Sequence, residues 1–126
     1  MIILDTDILI EILDKKSKKG DDAINQIIQS GEDISTTAIN LHEILYGLQK
    51  YAKPTEEILL LPVLNYTKKD SVLSSKIELQ AESRGMPLRR TDTMIAAIAI
   101  NNGAKLYTFD LKHIHPLTEL GLKIFP

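Results

Sequence analysis

The chain has 126 residues, of which 44% are hydrophobic and 25% charged, and it contains no cysteine. That length suits one domain with a core of its own, residues 1–126, and the composition is that of a soluble globular protein. The missing thiols exclude a disulfide scaffold, thiolate metal sites and cysteine catalysis and permit a reducing compartment; the cytoplasm is the expected location. The net charge of −2 hides an asymmetry: residues 1–63 carry 6 Lys/Arg against 11 Asp/Glu, and residues 64–126 carry 9 against 6. The second half is mildly basic, which is weak support for a polyanionic partner. Met1–Leu4 is too short for a secretory signal core and lacks a basic leader, and no run is long enough to span a membrane.

Ile2-Ile3-Leu4 is a short apolar run that predicts a buried parallel strand ending at Asp5. Ile8, Leu9, Ile12 and Leu13 then recur at helical spacing, with Thr6 or Asp5 as the cap and Asp7 in the first turn. Lys15–Gly20 reads as a solvated loop, with contact to a partner or RNA as the alternative for Lys15–Lys19. A second helix opens at Asp21 or Asp22, carries Ile24, Ile27 and Ile28 on one face, and stops near Gly31. Asp33–Thr36 predicts a second strand, and Thr37 caps a third helix whose apolar face is Ala38, Leu41, Ile44, Leu45 and Leu48, with Glu43 in mid-helix. After Pro54, Ile58–Leu61 fits either a strand or a short helix. Val63–Tyr66 predicts a third strand, and Ser71–Arg84 a helix with Gly85 as its stop.

Thr91-Asp92 opens a helix that is apolar nearly all round (Met94–Ile100), so it should be fully packed, and Asn102-Gly103 ends it. Lys105–Phe109 predicts a fourth strand with Asp110 directly after it, and Leu122–Phe125 an edge strand. Strands alternating with helices imply an α/β fold with a parallel sheet. The glycines at 20, 31, 85 and 103 are read as helix stops.

Four carboxylates stand out: Asp5 and Asp110 at strand ends, Asp92 at a helix start and Glu43 along a helix. Ligands of open α/β sheets bind beyond the carboxyl ends of the strands, and the predicted elements bring all four toward one such edge. Gathered carboxylates repel unless a divalent cation sits among them, and a carboxylate-held cation most often serves phosphate chemistry. Singly, each has an ordinary role: Asp5 and Asp92 as helix caps, Glu43 as a solvated residue, Asp110 in a turn. His42, His113 and His115 read as loop or surface residues. Asp5-Thr6-Asp7 after an apolar strand also resembles the first motif of haloacid-dehalogenase-type phosphatases, but the later paired acids of that family are missing.

Four segments in order carry a more extensive resemblance: Met1–Ile10 around Asp5; Ser35-Thr36-Thr37 leading to His42-Glu43-Ile44-Leu45-Tyr46-Gly47; Gly85–Leu88 with Asp92-Thr93-Met94-Ile95-Ala96-Ala97; and Thr108-Phe109-Asp110-Leu111-Lys112-His113-Ile114. Together they resemble the PIN-domain ribonucleases, and most closely the VapC-type toxins of toxin–antitoxin pairs. The resemblance implies a PIN-like three-layer α/β/α sandwich with a central, mostly parallel sheet of four to five strands. It implies hydrolysis of RNA phosphodiesters to 5′-phosphate and 3′-hydroxyl ends with Mg²⁺ or Mn²⁺, held by Asp5, Glu43, Asp92 and Asp110, with Thr6 and Thr108 in support. Arg84, Arg89, Arg90 and Lys112 are candidates for the RNA phosphates by their nearness to Asp92 and Asp110. The aromatic residues show no stacking platform.

The resemblance further implies a homodimer and a cognate antitoxin protein whose C-terminal segment lies in a groove near the first three helices, with Ile10 and Leu13 among its contacts. A housekeeping PIN nuclease of RNA processing, a non-catalytic RNA-binding PIN module and a small phosphatase are the alternatives.

Overall fold

The computed structural model describes Met1–Pro126. Five short strands form one fully parallel sheet: β1 (Ile2–Leu4), β2 (Ile34–Thr37), β3 (Val63–Leu64), β4 (Lys105–Tyr107) and β5 (Lys123–Phe125), in the order β3-β2-β1-β4-β5. β1 is therefore the central strand, flanked by β2 and β4, with Ile3 opposite Leu106 and Leu4 opposite Tyr107 across the β1–β4 pair.

Seven helices accompany the sheet: α1 (Thr6–Leu9), α2 (Lys18–Ser30), α3 (Ala38–Lys50), α4 (Glu56–Leu59), α5 (Lys68–Ser83), α6 (Arg90–Asn101) and α7 (Leu111–Ile114). Side chains alternate across the strands, as a pleated sheet requires. Ile3 and Leu106 join Ile77 of α5 and Ile95–Ala99 of α6 in one core. Ile2, Leu4 and Tyr107 join Ile8 and Leu9 of α1, Ala23 of α2, and Ile44 and Leu48 of α3 in a second core on the opposite face. Two cores on two faces make the three-layer sandwich.

Several boundaries differ from the sequence reading for identifiable reasons. Asp5, rather than Thr6, caps α1, its carboxylate accepting the Thr6 amide at 2.9 Å. The helical pattern after Leu9 is real but widens into a π turn over Ile10–Asp14. The lysine-rich segment is not all loop. Ser17 caps α2 through the Gly20 amide at 3.0 Å, so the helix starts at Lys18 and Gly20 lies inside it. The buried face of α2 runs through Ala23, whereas Ile28 is 69% exposed. Ile58 belongs to the short helix α4, β3 stops at Leu64, and Thr67 opens α5 with a reciprocal capping pair to Asp70. β4 ends at Tyr107, which leaves Thr108 and Phe109 as a loop leading into Asp110.

Candidate active site

Two of the acids, Asp5 and Asp110, follow the neighbouring strands β1 and β4, while Glu43 sits on α3 and Asp92 on α6. Asp5 follows β1, and its amide donates to the Tyr107 carbonyl of β4 at 3.0 Å. Its Oδ1 accepts the Thr6 amide at 2.9 Å and the Asn40 side-chain amide at 2.8 Å. Asn40 is fully buried and fixed in turn by the Thr37 hydroxyl, which donates to its Oδ1 at 2.7 Å. Asn40 and Glu43 are three residues apart on α3, so both project from one face of that helix. Glu43 Oε1 accepts the Thr6 hydroxyl at 2.9 Å, and that hydroxyl accepts the Asn40 amide at 3.0 Å. Asp5, Thr6, Asn40 and Glu43 thus form one bonded unit.

The β4 side is built differently. The Asp110 amide donates to the Thr108 hydroxyl at 3.0 Å, and Asp110 Oδ1 lies 2.8 Å from His113 Nδ1. Asp7 reaches across from α1: its Oδ2 accepts the Phe109 amide at 3.1 Å and the Thr108 hydroxyl at 3.3 Å. Asp92, in the first turn of α6, is 6% exposed. Its Oδ1 pairs with Arg89 Nη2 at 3.2 Å, and its Oδ2 accepts Arg89 Nε at 3.4 Å and the Arg89 amide at 3.3 Å.

Charges in this region feel one another. Burial pushes the Asp5 carboxyl above its ordinary value, hydrogen bonding from Thr108, Thr6 and Asn40 opposes the rise, and the Asp92 charge adds to it. Thr108 has one hydroxyl proton to give, and the bonding distance assigns it to Asp7. Asp7 is pushed up to about 6, first by burial and then by the charge of Asp5. The pairing with Asp92 raises Arg89, to which Glu43 and Asp110 also contribute. The carboxylates therefore share one electrostatic neighbourhood.

They do not form a closed cage: as the side chains stand, no three of the His, Asp and Glu groups are positioned to hold an ion together. The convergence expected from sequence is incomplete, with Asp92 paired to Arg89 and Asp110 to His113. The donor chemistry nonetheless fits a hard divalent cation. All the candidate ligands are carboxylate oxygens, and Asp7 Oδ1 beside them is buried without a hydrogen-bond partner.

The cations expected at the phosphates are distributed unevenly. Arg89 is in place. Arg90 is committed to Glu78 of α5 at 3.0 Å, in a cavity lined by neither Asp92 nor Asp110. Arg84 pairs with Glu119 at 3.3 Å. Lys112 is exposed on α7.

Comparison with known proteins supplies the family and the fold. The family model of the PIN domain matches residues 2–116. Ribonuclease VapC1 of Methanocaldococcus jannaschii is 30% identical over 131 residues, covering 98% of this chain and 86% of that protein. The chain belongs to the PIN domain family, in its VapC-type branch.

Solved structures share the fold of this PIN domain. VapBC2 from Rickettsia felis, bound to a promoter DNA fragment, superposes with a TM-score of 0.79 at 23% identity and covers 100% of both chains. DNA-bound VapBC from Salmonella typhimurium gives 0.79 at 23% identity, covering 98% of this chain and 96% of that one. FitAcB from Neisseria gonorrhoeae gives 0.77 at 20% identity, covering 100% and 97%.

Four features of the candidate site in this PIN domain carry more weight in the structure than in the sequence. Asn40 carried a usable signal, standing three residues before Glu43 on the same helix face. Asp7 reads in the sequence as a first-turn acid and as the second acid of the phosphatase-like motif. His113 was read as an ordinary surface histidine. Lys15 and Lys19, assigned to a solvated loop, line a cavity of about 370 Å³ with Asp7, Phe109 and Asp110, and Lys19 Nζ sits 4.1 Å above the Phe109 ring.

Asp7 makes stability depend on pH. Its folded value of about 6 exceeds the ordinary 3.8, so the native state holds this proton more tightly than the unfolded chain does. Its contribution is full below about pH 4 and is lost as pH rises through 6. Asp7→Asn, which stays neutral, is expected to stabilise the metal-free protein at pH 8 by about 1–2 kcal/mol, after allowance for the solvent-exposed part of the group. The gain should vanish by about pH 4. Urea unfolding of both proteins across that range checks it, and a pH-independent difference would exclude Asp7 as the source.

Proposed function

We propose that the protein is a divalent-metal-dependent endoribonuclease acting in the cytoplasm as the toxin of a toxin–antitoxin pair. Asp5, Glu43, Asp92 and Asp110 would hold Mg²⁺ or Mn²⁺. The observation that carries the reading is the pair Asp5 and Asp92: two carboxylates, partly and almost wholly buried on different elements, within each other's field at the carboxyl edge of a parallel sheet. An ion bound there supplies Lewis acidity and offsets the negative charge of a phosphodiester and its leaving oxygen.

The chain's own residues supply positioning. The Thr6 amide and the Asn40 side chain both bond the same Asp5 oxygen, Oδ1, and so fix the carboxylate's orientation. The Thr6 hydroxyl aims Glu43. Thr108, through the Asp110 amide and Asp7, sets the loop that presents Asp110. Lys15, Lys19 and Arg89 border the acids and are suited to an RNA backbone. Arg84 and Arg90 would have to leave their carboxylate partners to take part.

The resemblance to VapBC complexes supports an antitoxin partner. A groove of about 250 Å³ is lined only by apolar residues, among them Leu9, Ile12, Leu13, Ile24, Ile27 and Ile28. It lies between α1, the π turn and α2, and would accept an apolar antitoxin segment. Leu13 lies in it, whereas Ile10 lies in the cavity beside Asp110. A homodimer and a single domain over the whole chain complete the reading, and α5 exposes Val72 and Leu79 on one face as a candidate dimer contact. No helix is long and apolar enough to cross a membrane.

Purified protein incubated with a mixed single-stranded RNA pool should cleave it with Mg²⁺ or Mn²⁺, lose that activity in EDTA and regain it when excess Mn²⁺ is added. Cleavage indifferent to chelation would overturn the metal assignment. Turnover of a small phosphate ester in place of RNA would favour the phosphatase alternative.

A further inference from the structure

Asp92 is the most deeply buried of the four acids, and the only groups bonded to its carboxylate belong to Arg89. A buried carboxylate stripped of its partner is strongly unfavourable, so Asp92 needs a positive charge at all times. The present pair is loose. Its side-chain contacts are 3.2 and 3.4 Å, at or beyond the long end for such bonds, and the Arg89 side chain is 72% exposed. The guanidinium can therefore move into water at modest cost to itself, provided another cation takes its place against Asp92. A divalent ion and a guanidinium cannot both sit against one carboxylate without strong repulsion.

We propose that Arg89 is a built-in counter-ion for Asp92 that a divalent cation must displace, so that Arg89 sets the metal affinity of the site. This rests on the reading of the acids as a metal site. Arg89 also lies in the field of Glu43 and Asp110, so in the metal-free protein it neutralises more than its immediate partner. Once displaced, its planar fork of donors is free for a phosphate oxygen, which orders the events: metal first, RNA phosphate second.

Mn²⁺ binding by calorimetry, together with thermal unfolding in EDTA and in saturating Mn²⁺, tests this without reference to activity. Arg89→Gln should bind Mn²⁺ about ten-fold more tightly than wild type, because neither the competing pair nor the nearby positive charge remains. It should melt lower than wild type in EDTA, and the deficit should close in saturating Mn²⁺. Arg89→Lys, which keeps the charge, should bind Mn²⁺ within about three-fold of wild type. Unchanged Mn²⁺ affinity in Arg89→Gln, or a melting deficit that persists with Mn²⁺, would show that Arg89 only caps α6 and would overturn the inference while leaving the metal site standing. Absence of Mn²⁺ binding in wild type and both variants would overturn the inference and the metal-site reading together.

Discussion

Asp5→Asn should reduce RNA cleavage by at least about 100-fold, beyond the loss typical of removing a group that merely supports a metal ligand, while leaving the metal-free protein as stable as wild type or more so at pH 7. The two halves have a common cause. Oδ1 of Asp5 accepts both of its structural hydrogen bonds, from Thr6 and Asn40, and an asparagine carbonyl in the same orientation accepts both. What the substitution removes is the negative charge. Burial and the neighbouring Asp92 oppose that charge in the folded state, so its loss relieves the metal-free protein. The same loss deprives a cation of the ligand at the centre of the bonded unit. Single-turnover cleavage with Mn²⁺, measured beside melting curves in EDTA, reads both effects. Cleavage within about three-fold of wild type would remove Asp5 from the metal site. A clear drop in melting temperature would mean that the network around Asn40 depends on the charge.

Much of this architecture was legible in the sequence because it follows from one-dimensional patterns. The apolar run Ile2–Leu4, the all-round apolar helix ending at Asn102-Gly103 and the alternation of strand and helix each have a single economical burial solution, and the structure adopts it. Thr37 was identifiable as a cap because its hydroxyl has a helix amide to satisfy. Boundaries governed by tertiary contact were harder to read. β4 reads as continuing through Phe109 because Thr108 and Phe109 have good strand propensity, yet the Phe109 amide goes to Asp7 instead of to a neighbouring strand. That partner is more than a hundred residues distant in the chain.

The candidate site was legible in its acids and much less so in what surrounds them. Acids at strand ends are visible to pattern reading, but whether a nearby cation serves substrate, a distant acid or the site itself depends on which way its side chain turns. Arg89 and Arg90 are adjacent in sequence, yet one turns into Asp92 and the other toward Glu78. Asn40 is neutral and lies in an amphipathic helix, so nothing marked it except its spacing from Glu43. Lys19 became relevant only because α2 starts earlier than the lysine run suggested, which carries it over Phe109.

That early start depends on one glycine. Gly20→Ala is expected to destabilise the protein by about 2–4 kcal/mol, although alanine is the better helix former by about 1 kcal/mol. Gly20 sits in the first turn of α2, pressed against the π turn Ile10–Asp14. A Cβ there would lie 2.3 Å from the Glu11 carbonyl oxygen, 2.6 Å from its carbon and 3.0 Å from the Ile12 nitrogen. All three are backbone atoms, so no flexible side chain can step aside, and the two segments must separate. Separation strains the contacts that join them, the Ser17 amide to the Glu11 carbonyl at 3.1 Å and the Ser17 hydroxyl to the Glu11 carboxylate at 3.0 Å. Gly47, inside α3, has nothing within 4 Å of the corresponding position. The same substitution there should stabilise by up to about 1 kcal/mol through helix propensity alone. Urea unfolding of the two variants therefore predicts opposite signs for one chemical change. A Gly20→Ala protein within about 0.5 kcal/mol of wild type would show that α2 and the π turn are not packed as tightly as the structure places them.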